Sequence, residues 1–410
     1  MRRFLSRVLP LLLSFGLIFN CTGCSTVLVL AGKARENSEA SSSVIPESSA
    51  SSGIISTPVP TEDGDLRAFY TDVANAESVT VMVYMIGSDL ESEDGSATDD
   101  LLEMADAALS ENVHLVLQTG GTETWWNDVC TDDESERFVI ENGDMTLLQS
   151  LGSMNMTDAD TLSDFIRFSA ESYPADRYEL ILWDHGGGTM TGFGYDELYE
   201  DTSLTLSSLS TALYNGGVQF DFIGFDACLM ATAEVAYALD PYADYLIASE
   251  ESEPGEGWAY KNWLTMLAED PAVPTAELGK KLADDFLEAY IFADMPTLSV
   301  LDLRYVPELY AALESYWESA YTALQNGSYG AFSQVRNNVR EFGDNEYDQV
   351  DLSDLATLTK QSLSLGTEDD VQAAVQNMVV YNVTYEKSAA GIAVYFPCLW
   401  PDYYGDTRFE

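Results

Sequence analysis

The chain has 410 residues, 46% of them hydrophobic, enough to bury one large core or two modest ones. Its 69 acidic side chains against 18 basic give a formal charge of −51, which repels nucleic acid and gathers cationic ligands at the surface. No nucleic-acid partner is expected, and the acidity serves either solubility outside the cell or the guidance of basic substrates.

The first segment reads as an export signal, with Arg2, Arg3 and Arg7 ahead of an apolar run at 8–19 and the small residues "CTGCS". Cys24, between Gly23 and Ser25, resembles the lipid-accepting cysteine of a bacterial lipoprotein box, although Cys21 stands where that box usually has leucine. The other reading is an uncleaved anchor, because apolar residues resume at 27–30 and the stretch 8–31 is long enough to span a bilayer. Residues 1–24 are thus expected to be the signal segment. Residues 25–65, rich in Ser, Glu, Pro and Ala, are expected to be a flexible tether. Either reading puts the folded part on the extracellular face of the cytoplasmic membrane or in the medium.

From residue 66 the pattern changes. Strand-like runs at 79–86, 113–117, 180–183, 220–225 and 245–248 alternate with helical patterns at 101–109, 159–173, 204–214 and 229–239. Such alternation predicts a mostly parallel sheet covered by helices on both faces. Residues 137–149, with "ENGD" inside them, read as an inserted hairpin. Beyond 305 the pattern is mainly helical, with a late strand at 391–397, so the expected division is 66–305 and 306–410.

In open parallel sheets, reactive groups gather at the carboxyl ends of the strands. Two ends carry suitable residues: "LILWDHGGG" (180–188) presents His185, and "FDFIGFDACLM" (220–230) presents Cys228. A thiolate is the attacking species in cysteine catalysis, and a thiol at the start of the following helical stretch is expected to be favoured in that form. His185 would take and return the proton, while the amides of Gly186 and Cys228 form an oxyanion hole. Taken singly, each is more often a packed thiol or a turn histidine; the pairing is what points to acyl transfer. The glycines of "HGGGTMTGFG" make a poor nucleotide loop, because "YDELYEDTS" and its carboxylates follow. There is no GxSxG elbow, and neither His114 nor His185 has the neighbours of a structural zinc site. Outside the leader lie Cys130, Cys228 and Cys398, too few for a disulfide framework; whether Cys130 and Cys398 meet is left open.

Together "WDHGGG" (183–188), "GFDACLMATAEVAY" (224–237), "ASEESEPGEGWAY" (248–260) and "SAAGIAVYFP" (388–397) resemble the clostripain family of cysteine peptidases, relatives of caspases, gingipains and legumains. The resemblance runs from about 79 to 397. It implies a caspase-like α/β/α sandwich, a His185–Cys228 dyad and cleavage of peptide or protein substrates after Arg or Lys. Asp226 matches the carboxylate that receives the basic P1 side chain; the alternative is a cap for the next helix. Glu253 or Glu256 would add a second carboxylate, with Trp258 as an apolar wall, though either glutamate could equally be a solvated loop charge. Calcium accompanies some relatives, and 91–100 or 196–201 offer oxygens, but neither has EF-hand spacing. Some members cut themselves between histidine and cysteine. Here no lysine or arginine lies between Arg177 and Lys261, so a basic-specific enzyme is expected to stay whole there. The rival expectation is a non-catalytic binding or adhesion lipoprotein that keeps the peptidase fold.

Overall fold

The computed structural model describes residues 66–199, 202–290, 296–343, 346–385 and 388–398, so Cys24 and the leader and tether expected before residue 66 lie outside the described residues. Nine strands form one sheet: β1 (Val79–Ile86), β2 (Val113–Gly120), β3 (Ser135–Glu141), β4 (Asp144–Gly152), β5 (Arg177–Trp183), β6 (Phe220–Asp226), β7 (Ala243–Ala248), β8 (Thr297–Asp302) and, later in the chain, β11 (Val379–Thr384). Their order across the sheet is β11-β8-β7-β6-β5-β1-β2-β3-β4. The central five, β2-β1-β5-β6-β7, are parallel, and the flanking strands are antiparallel. Every residue of β1, β6 and β7 is buried, as befits strands covered on both faces.

The two faces carry separate cores. On one, Leu162, Phe165 and Ile166 of the helix Ala159–Ser172 pack with Leu209 and Leu213 of Leu206–Gly216, over Met82, Leu180 and Ile223 of the sheet. On the other, Leu101 and Met104 of Ser96–Ala105, Trp263 of Tyr260–Glu269 and Phe286 of Thr275–Ala289 pack over Val81, Ile181 and Phe222. The layered α/β/α arrangement expected from the alternation is the observed one. Helix starts follow side-chain chemistry: Asp158 accepts from the amide of Asp160, Thr205 from Ser208 and Thr232 from Val235.

Strand order places β1 and β5 side by side, although β1 connects onward to β2 on its other side. Such a reversal is where open α/β sheets place their binding sites, at the carboxyl edge between β1 and β5 and next to the end of β6. A second, three-stranded antiparallel sheet, β9 (Glu341–Phe342), β10 (Gln349–Asp351) and β12 (Ala393–Tyr395), lies against the loop that leaves β6. Ala393 donates its amide to the carbonyl of Ala231 at 2.9 Å, and a bridge pairs Thr232 with Ala393. The late strand at 391–397 therefore belongs to this small sheet, and β11 supplies the edge of the large one.

Candidate active site

The first arm of the site leaves β5. The amide of Asp184 still donates to the carbonyl of Asp226 (3.2 Å), so β5 and β6 stay paired to their last residues and release His185 and Cys228 from adjacent ends. Directly after β1, Ser88 adopts φ +49° and donates its hydroxyl to Asp184 Oδ1 at 2.7 Å, while Asp184 Oδ2 accepts the amide of Tyr195 at 2.5 Å. Asp89 Oδ1 lies 2.7 Å from Nε2 of His185. Two consecutive residues at the exit of β1 thus grip two consecutive residues at the exit of β5. The imidazole remains 43% exposed, open to an incoming ligand. Burial pulls its basicity down, but the hydrogen bond to Asp89 and the charges of Asp184 and Asp89 outweigh that and leave it above the ordinary histidine value. Burial pushes the Asp184 carboxyl up to about 7, against the opposing pull of His185 and its own hydrogen bonds.

The second arm leaves β6. Cys228 is partly exposed, and its sulfur accepts the amide of Glu253 at 3.2 Å and faces the same residue's carbonyl at 3.8 Å. Leu229 takes a left-handed φ of +69° and donates its amide to the carbonyl of Glu251. The following helix begins only at Ala233, with Thr232 as its cap. This corrects the expectation of a thiol at a helix start: Ala231 and Thr232 are drawn into pairing with Ser249 and Ala393, which postpones the helix. Without a helix dipole at hand, burial raises the Cys228 thiol above its ordinary value, with the Glu253 amide partly offsetting it.

The arms meet through their backbones. A Cβ added to Gly186 would fall 2.0 Å from the carbonyl oxygen of Cys228, so only glycine fits there. Neither the Gly186 amide nor the Cys228 amide donates to a backbone carbonyl among the described residues. No hydrogen bond joins imidazole to thiol; each is held by its own partner. Gln349, fully buried in β10, ties the arms together by accepting the amide of Thr189 (3.0 Å) and donating to the carbonyl of Leu229 (3.2 Å). Tyr347, half-buried, packs with Cys228 against a small cluster that includes Leu229 and Phe342.

Below Cys228 lies a group of carboxyls. Asp226, 4% exposed, accepts the amide of Trp258 (3.0 Å) and the hydroxyl of Tyr260 (2.8 Å) on Oδ2. Since Thr232 caps the next helix, Asp226 is not that cap. Burial raises Asp226 to about 6, and burial followed by the charge of Asp226 drives Glu253 well above the carboxylate range. Of the two, the proton is held more strongly at Glu253, because its carboxyl is buried and faces the charge of Asp226. Asp100, which accepts the indole N–H of Trp183 at 2.6 Å, completes the group, and among the described residues all three carboxyls are without a basic hydrogen-bond partner. Gly257, at φ +64°, lies over them; its Cβ would be 2.9 Å from Asp100 Oδ2 and 3.0 Å from both oxygens of Asp226.

Gly186, next to His185, therefore meets the backbone of Cys228, and Asp226, Glu253 and the amide of Trp258 form an adjoining group. The Trp258 ring is 1% exposed, packed in the core with Trp183 and Trp263, and Glu256 is solvent-exposed. Asp89, Asp100, Gln349 and Tyr347 were not anticipated; they arrive from separate segments, two helices, a strand and the turn before it, and nothing local in those segments marks them. Among the acidic stretches considered for calcium, Glu91, Asp196 and Glu197 accept hydrogen bonds from amides and hydroxyls of the chain itself. Among the described residues no disulfide links Cys130, Cys228 or Cys398.

Residues 83–398 match the model of the clostripain family. A stretch of 123 residues is 35% identical to clostripain of Hathewaya histolytica, covering 26% of this chain and 23% of that protein, so the chain spans about a quarter of the length of that relative. Two solved structures share the fold. The inactive zymogen C11 protease of Parabacteroides distasonis has a TM-score of 0.62 at 22% identity, over 80% of this chain and 95% of its own. The secreted C11 cysteine protease of Bacteroides thetaiotaomicron, solved with an irreversible peptide inhibitor, has a TM-score of 0.61 at 18% identity, over 81% and 99%.

Proposed function

The chain belongs to the clostripain family of cysteine peptidases, and from that premise we propose that it is an exported endopeptidase cleaving after Lys or Arg with Cys228 as nucleophile and His185 as general acid and base. The observation that carries this reading is the fit of Gly186 against Cys228, which brings an imidazole arm and a thiol arm to one crevice edge. As the sulfur attacks the scissile carbonyl carbon, its proton passes to His185 and the amides of Gly186 and Cys228 meet the oxyanion. The imidazolium then protonates the leaving amine as the C–N bond breaks. Water, deprotonated by the same ring, cleaves the thioester and frees the thiol.

Specificity in this reading rests on the buried carboxyls. Among the described residues Asp226 and Glu253 have no basic partner, so a lysine or arginine side chain supplies the missing positive charge and favours their ionised forms. Glu253 also touches the sulfur through its backbone, which links the pocket to the nucleophile. Secretion of the Bacteroides thetaiotaomicron neighbour supports export, and attachment to the membrane would run through a lipid on Cys24. No helix among the described residues is long and apolar enough to cross a membrane. The adhesion alternative is not favoured, since a binding scaffold has no use for a thiol and an imidazole at facing strand ends.

Fluorogenic peptides ending in Arg, Lys, Ala or Asp test this on wild type, Cys228→Ala and Asp226→Asn. Turnover confined to Arg and Lys, abolished by Cys228→Ala and reduced by roughly 100-fold or more in Asp226→Asn, is expected. Hydrolysis without basic preference, or activity that survives Cys228→Ala, overturns the reading.

A further inference from the structure

The proposed chemistry gives His185 two nitrogens and one task, and the surroundings of the ring choose between them. The groups facing the imidazole are Asp89 from the helix Ser88–Asp94 that follows β1, Asp184 from its own strand end and Tyr195 with ring centroids 6.3 Å apart, while the neighbouring Gly186 meets the backbone of Cys228. Among the described residues Asp89 alone forms a hydrogen bond to the ring, and it does so at Nε2.

A carboxylate can only accept. Asp89 titrates below the ordinary aspartate value, chiefly because of its hydrogen bond to His185, and is therefore ionised at neutral pH. The proton between the two must then reside on Nε2, which puts the free lone pair of the neutral ring on Nδ1.

We propose that Asp89 is a positioning residue that fixes His185 in the Nε2–H tautomer, so that Nδ1 is the nitrogen that takes the thiol proton and returns it to the leaving amine. Asp89 touches no reacting atom. It orients the ring, holds the tautomer and stabilises the imidazolium formed when Nδ1 accepts the proton. Its support is rigid: Ser88, the preceding residue, is locked to Asp184, so the Asp89 backbone is tied to the histidine strand independently of the ring contact. The assignment rests on the peptidase reading for its role in turnover but not for its tautomer.

The chain has only two histidines, His114 and His185, so imidazole nitrogen spectra of the uniformly 15N-labelled protein, compared with His114→Gln, assign the His185 ring directly. The expected result is an Nε2–H, Nδ1-unprotonated ring in wild type, titrating above the ordinary histidine value. In Asp89→Asn the two tautomers should mix, the ring pKa should fall, and the acid limb of kcat/KM should move with it. In the same variant kcat should drop roughly 10- to 100-fold with KM little changed. Asp89→Glu, which keeps the charge, should recover part of the rate and of the ring pKa. A wild-type ring protonated on Nδ1, or an Asp89→Asn ring with unaltered tautomer and pKa, overturns the proposal. Because the spectra need no turnover, an inactive wild type with an Nε2–H ring would sink the peptidase reading and leave the tautomer assignment standing.

Discussion

Gly186 and Cys228 are in backbone contact so close that the smallest side chain on the glycine would overlap the cysteine's carbonyl oxygen, at 2.0 Å. Gly186→Ala should therefore force the two arms apart. We expect a loss of roughly 100-fold or more in kcat/KM, with about 1–3 kcal/mol of stability, measured by peptide hydrolysis and urea unfolding. Unchanged turnover would show that the arms are not coupled through this contact.

Cys228 carries its thiol above the ordinary cysteine value because burial is not offset by a helix start. The resting cysteine is then the neutral thiol. Alkylation of Cys228 by iodoacetamide should be slow at pH 7 and climb about tenfold per pH unit up to about pH 9. A rate already level between pH 6 and 8, the mark of a preformed thiolate, would contradict this.

Gln349 bridges Thr189 and Leu229, one residue on each arm. Gln349→Leu keeps much of the volume but leaves a buried amide and carbonyl unmatched, at a cost of about 1–3 kcal/mol. A fall in kcat larger than any change in KM is expected, read from initial rates on an Arg-ending peptide.

Self-processing between the arms should not occur. The stretch from His185 to Cys228 holds no lysine or arginine, so the purified protein should migrate as one chain through that region whether or not Cys228 is replaced by alanine. A Cys228-dependent fragment boundary between 186 and 227, found by mass spectrometry, would refute the basic specificity.

Stability should fall as pH rises from about 5 to 8. Burial raises the folded-state values of Asp226 and Asp351 to about 6, Asp184 to about 7 and Glu179 to about 8. Groups raised on folding contribute stability that is complete below their unfolded values near 4 and is lost as pH climbs through the folded ones. The large acidic excess acts in the same direction. Calorimetry should give a Tm higher at pH 5.5 than at pH 8 by on the order of 5 °C, with Asp184→Asn flattening the difference.

The sandwich was legible because its strands are buried on both faces and therefore read as unbroken apolar runs, as at 79–86 and 220–225. His185 and Cys228 were legible because each interrupts such a run where a strand must end. Asp89 was not, since its carboxylate reaches a partner 96 positions away and its own segment looks like any acidic loop. Gln349 and Tyr347 were missed for the same reason. The helix after Cys228 was read too early: "LMAT" carries no breaker, and the pairing of Ala231 and Thr232 with Ser249 and Ala393, invisible locally, postpones it. The strand at Val379–Thr384 was hidden by its position directly behind a helix ending at Met378.

The small sheet gives the molecule a built-in sense of completion. Gln349 arms the crevice from β10, and β10 is held by β12, whose last residue is Tyr395. A nascent or truncated chain that has already formed β1 to β7 would possess both His185 and Cys228 yet lack the splint between their loops. The splint between the His185 and Cys228 segments is therefore set only after β9, β10 and β12 have paired, well after β1 to β7 have left the ribosome.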